Sequence, residues 1–90
     1  MVSEEKLGWL DPNGTLYECE YTWHLDVARE VYGTYDTEEL AKRGIVHLFW
    51  NPVRNRHDYF TERTLTDAQI AYLREHDYKI YEEDLPYYEQ

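Results

Sequence analysis

The stretch GWLDPNGTLYECEY, residues 8–21, most constrains what this chain can fold into. Asp11-Pro12-Asn13-Gly14 carries the residues of a type I turn: Asp first, Pro with its φ already set second, Gly fourth. Residues 15–21 then alternate. Tyr17, Cys19 and Tyr21 fall on one face of a strand, Glu18 and Glu20 on the other. With Gly8-Trp9-Leu10 ahead of the turn, the stretch predicts a β-hairpin whose tyrosine face needs a core.

The rest of the chain reads in sequence. Thr22 caps a helix running to about Tyr32, with His24, Val27, Ala28 and Val31 on one stripe, Trp23 at its edge and Gly33 as the stop. Asp36 and Glu39 have capping-box spacing, and Lys42 and Arg43 suit a helix end before Gly44. That segment reads as a second, shorter helix, with a turn as the alternative. Residues 45–50 are a β-rich apolar run, 51–57 a loop and 58–63 the returning strand. The sharpest local signal is LTDAQI, residues 65–70. Thr66 caps a helix, Gln69 closes its capping box, and Leu65 and Ile70 form a hydrophobic staple. The helix runs to about His76. Tyr78 and Ile80 alternate with Lys79 as in a last short strand, and the acids around Pro86 suggest a loose tail.

The order ββα(α)ββα predicts an α+β fold: two β-hairpins forming a small antiparallel sheet, with helices packed on one face. Ninety residues make one small domain, 1–90, with loose ends at about 1–7 and 82–90.

Charge narrows the function. The formal net charge is −10, spread as −8 over residues 1–40, +2 over 41–80 and −4 over 81–90. This balance argues against direct binding to nucleic acid or an anionic membrane and favours a basic partner, or simply a solvated surface. One cysteine allows no internal disulfide, and there is no signal peptide and no apolar run near the roughly 18 residues of a membrane span, so a cytoplasmic location is expected.

Chemistry-bearing constellations are few. Cys19 and His24 are five apart, but His47, His57 and His76 lack ligand-pair spacing, so no metal site and no cofactor is predicted. A Cys–His nucleophile pair would need an orienting group and an oxyanion hole. Asp26 could reach His24 only by folding back against the helix, and nothing glycine-rich follows Cys19. The residues 11–22 fail as a calcium loop for want of the glycine and glutamate at their required places. No catalytic residue is assigned and no enzyme is expected; Cys19 is expected to be buried and unligated. The basic loop NPVRNRH reads as a solvated hairpin tip, or as Arg54 and Arg56 gripping an acidic group. The acids are more suggestive. Glu18 and Glu20 share one side of a strand, and Asp26 and Glu30 share one side of a helix, with Glu4, Glu5, Glu38 and Glu39 near in sequence. An array of carboxylates resembles a line of phosphates, and Glu18, Glu20, Asp26 and Glu30 are the candidate partner-binding residues.

The stretch GWLDPNGTLYECEYTWHLDVA resembles the opening of small uncharacterised proteins encoded by phages and prophages of Gram-positive bacteria, on Gly8, Trp9, Pro12, Gly14, Tyr17, Cys19 and His24. LTDAQIAYLREHDY is similar to their Leu-Thr-x-x-Gln helix, on Leu65, Thr66, Gln69 and Leu73. The resemblance covers about half of the chain, and its motifs are structural in kind. Asp77 stands where those proteins commonly have Gly after the helix. The resemblance implies a mobile-element setting, where small acidic proteins often inhibit host defence. The reading is an acidic interaction protein that inhibits a nucleic-acid-handling host defence protein, as an anti-CRISPR or DNA mimic does. The alternatives are an accessory or structural phage protein without inhibitory role, and a small metal-binding protein.

Overall fold

The structure, a computed structural model, describes residues 7–19 and 25–86. Its elements follow the expected order: β1 (Gly8–Leu10), β2 (Leu16–Glu18), α1 (Asp26–Tyr32), α2 (Thr37–Lys42), β3 (Val46–Asn51), β4 (Arg56–Phe60) and α3 (Asp67–Glu75), then one 3₁₀ turn at Glu82–Asp84. The four strands form one antiparallel sheet in the order β2-β1-β3-β4.

The first hairpin turns as the residues dictate. Gly14 N–H donates to the Asp11 carbonyl at 2.8 Å, and Asn13 Oδ1 accepts from Thr15 N–H at 2.9 Å. Gly14 has φ +89°, and a Cβ there would stand 3.0 Å from the Ala68 Cβ of α3, so the turn packs on that helix only as glycine. Gly8 is still tighter. At φ +146°, a Cβ would meet the Tyr17 carbonyl oxygen at 2.2 Å.

Helices cover both faces of the sheet, not one. Trp9 and Leu10 are adjacent and both fully buried, which places a core on each side of β1. Leu10, Val46, Leu48 and Tyr59 pack with Leu65, Ile70, Leu73 and Tyr78 under α3. Trp9 and Ile45 pack with Ala28 of α1 and Leu40 of α2 on the opposite face. Rings align across this second face. Tyr17, Trp9, His47 and Phe60 are in register on the four strands, and Trp9 stacks on His47 with centroids 4.2 Å apart.

The helix ends follow local chemistry. Thr66 caps α3 and forms the expected reciprocal box with Gln69. Asp36 caps α2 through Glu38 N–H and Glu39 N–H, but Glu39 does not close a box; its carboxylate binds Arg43 one turn on. Both helices end in a Schellman turn. At α2, Gly44 N–H bonds Ala41 O and Ile45 N–H bonds Leu40 O; at α3, Asp77 N–H bonds Arg74 O and Tyr78 N–H bonds Leu73 O. Asp77 therefore occupies the left-handed position at φ +63°. At α1, Leu25 stands at the N-cap without a side-chain cap, Gly33 ends the helix at φ +78°, and Val31 is exposed rather than on the core stripe. The expected cap at Thr22, with Trp23 and His24, lies outside the described residues.

Three further expectations are corrected. The second hairpin runs Val46–Asn51 to Arg56–Phe60, two residues tighter on the return side than expected. Asn51 Oδ1 accepts from Val53 N–H and Arg54 N–H and folds the turn. Residues 78–80 form no strand, because the Schellman turn sends Tyr78 into the core. Residues 82–86 are not loose. Leu85 packs on the α3 core, Pro86 is buried, and the Asp84 carbonyl accepts from Leu65 N–H at 2.8 Å.

Candidate partner-binding surface

The four candidate acids do not form one array. Glu18 is exposed and follows Leu16 on the α3 side of the sheet, where its charge is felt by Tyr72. Asp26 and Glu30 are exposed on α1, which covers the other side. Glu20 lies outside the described residues. The sheet thus stands between Glu18 and the α1 pair.

On α1 the chemistry is concentrated. Ala28 faces the core, so Asp26, Arg29 and Glu30 project to solvent on the far side of the helix. Arg29 Nη1 donates to the Tyr35 hydroxyl at 3.0 Å, with its guanidinium carbon 5.3 Å from the ring centroid. That bond raises the Arg29 pKa and commits part of the exposed guanidinium to Tyr35. Asp26, Arg29, Glu30 and Tyr35 line a shallow depression of about 380 Å³. Two carboxylates one helical turn apart, about 6 Å along the axis, with an exposed tyrosine beside them, can accept a cationic side chain and cover its aliphatic stem.

The basic loop is committed elsewhere. Arg54 Nη1 and Arg56 Nη2 donate to the Tyr81 hydroxyl at 2.6 and 2.8 Å, and that hydroxyl donates to the carboxylate of buried Asp58 at 3.2–3.3 Å. Asn51 Nδ2 and Tyr59 N–H also donate to Asp58. Tyr59 in turn donates through its hydroxyl to Asp84. The two arginines close the hairpin onto the C-terminal segment, a tertiary contact invisible to local reading.

Cys19 is half-buried, less than expected, and burial pushes its thiol pKa up, which keeps it protonated and weakly nucleophilic at neutral pH. Among the described residues no group of three His, Cys, Asp or Glu side chains could hold a metal ion. No helix among them is long and apolar enough to cross a membrane. No protein-family model, curated protein or solved structure matches the chain.

Proposed function

We propose that this protein acts by binding rather than by catalysis. It is an acidic interaction protein of phage or prophage origin that docks on a basic, nucleic-acid-handling host defence protein and blocks it. The observation that carries the reading is the solvent face of α1, where Asp26 and Glu30 flank the Arg29–Tyr35 pair on a chain of net charge −10. Such a patch attracts lysine and arginine side chains over distance and holds them on contact. With Glu18 across the sheet, the contact is a compact α1 patch rather than a long row of carboxylates.

The test is capture of the partner from host lysate with the wild-type chain and with Asp26→Lys/Glu30→Lys. Both positions are exposed, so the variant retains the fold. A basic nucleic-acid-binding protein should be retained by the wild type, released by added salt and lost by the variant. Its nucleic-acid-directed activity should fall when the wild-type chain is added. A partner held equally by the variant, or one whose activity is untouched, refutes the proposal.

A further inference from the structure

Pro12 of the β1–β2 turn, Arg43 and Gly44 at the end of α2, Arg63 and Thr64 ahead of α3, and Pro86 meet around an open cleft of about 360 Å³. Small-ligand sites span roughly 300–1,000 Å³. Its charge separates it from the rest of the molecule. The chain has nineteen acids against nine Lys and Arg, yet among the described residues this lining holds two arginines and no carboxylate.

The two guanidiniums differ. Arg43 is neutralised by Glu39 and also donates to the Tyr32 carbonyl at 3.3 Å. Arg63 is exposed and makes a single long contact through its guanidinium, from Nη1 to the Lys42 carbonyl at 3.5 Å. No carboxylate pairs with it among the described residues. Arginine presents five N–H donors in a planar fork matched to two oxygens of a carboxylate or phosphate. Most of that fork is uncommitted at Arg63. Its neighbour Thr64, also exposed, makes no hydrogen bond among the described residues and adds a hydroxyl and a backbone N–H.

We infer that this cleft is an oxyanion-binding site, taking a phosphate or carboxylate group on a small molecule, with Arg63 as the principal contact and Arg43, its charge already balanced by Glu39, as a neighbouring N–H donor. The site lies apart from the acidic α1 patch and does not depend on the partner proposed above.

The experiment is an amide NMR titration of the full chain with sodium phosphate and, separately, sodium succinate, each held at constant ionic strength with sodium chloride. Saturable shifts should centre on Gly44, Thr64 and Thr66. Saturation by phosphate alone identifies a phosphate group, and by succinate alone a carboxylate. Arg63→Ala should weaken the fitted affinity about tenfold or more, the effect of losing charge-assisted hydrogen bonds. Arg63→Lys, which keeps the charge without the fork, should fall between. Lys79→Ala removes the same charge from an exposed position outside the cleft lining and should change nothing. Shifts that never saturate, that sodium chloride reproduces, or that persist unchanged in Arg63→Ala overturn the site.

Discussion

Gln69 is the position where one side chain holds the most of this fold together. It is 1% exposed. Its Oε1 accepts from Thr66 N–H at 3.0 Å, and its Nε2 donates to the Leu10 carbonyl at 3.1 Å and the Gly44 carbonyl at 2.8 Å. One amide thus joins the start of α3, the central strand β1 and the end of α2. Gln69→Ala removes three hydrogen bonds worth about 0.5–1.5 kcal/mol each and leaves a small void, for a loss of about 3–5 kcal/mol. A domain of this size has only about 5–13 kcal/mol in total. Gln69→Glu keeps the shape but turns a carboxylate oxygen toward two carbonyls. It should be worse than alanine at neutral pH. Burial and those carbonyls raise the folded-state pKa of the new carboxyl above its unfolded value. The folded state then binds the extra proton, so the glutamate variant regains stability relative to wild type as pH falls from about 7 to about 4. Urea denaturation of the three proteins at both pH values measures this. Alanine and glutamate variants within about 1 kcal/mol of wild type at neutral pH, or a glutamate variant whose deficit does not shrink in acid, would refute the assignment.

Two more perturbations follow from the structure. Asp77→Gly should stabilise the chain by about 0.5–1 kcal/mol, because it relieves a left-handed residue and removes a negative charge from the C-terminal end of α3; a lower denaturation midpoint would contradict the Schellman geometry. In alkali, Tyr32, Tyr59 and Tyr72 have pKa values above the ordinary phenol value, chiefly through burial, with Asp11 and Asp84 accepting from the first two and Glu18 and Glu75 adding their charge at the third. Stability that is complete below about pH 10, where unfolded tyrosines begin to ionise, should therefore be lost as pH rises further. Phenolate absorbance and circular dichroism should change together for these three, and titration of all ten tyrosines near the ordinary value with the fold intact would oppose it.

Local signals were legible and tertiary ones were not. Thr66, Gln69 and the Leu65–Ile70 pair announce α3 because capping chemistry is local, acting between near neighbours in the chain. The second covered face was written in the sequence in a less obvious form. Trp9-Leu10 and Ile45-Val46 are consecutive large apolar residues on strands or at their edge, the pattern of a strand buried on both sides. They mark both faces as covered, but which face receives α1, and so the separation of Glu18 from Asp26 and Glu30, is set by tertiary packing. The docking of residues 82–86 has no such local mark. It depends on Tyr59 meeting Asp84 and on Tyr81 meeting Arg54 and Arg56, side chains some 25 residues apart. The cleft beside Arg63 is likewise assembled from four separate segments.

The place of β1 in the middle of the sheet has a consequence for biosynthesis. Its pairing with β2 is local and can form as soon as the first hairpin leaves the ribosome. Its other edge must wait for β3, about forty residues later, and the Leu10 carbonyl waits for Gln69, a separation of 59 residues. Until then the hairpin displays Trp9 on one side, Leu10 on the other and an unpaired backbone edge between them. Nascent chains of this protein are most prone to association in that interval, and slowing translation downstream of β2 should lower the soluble yield without touching the finished molecule.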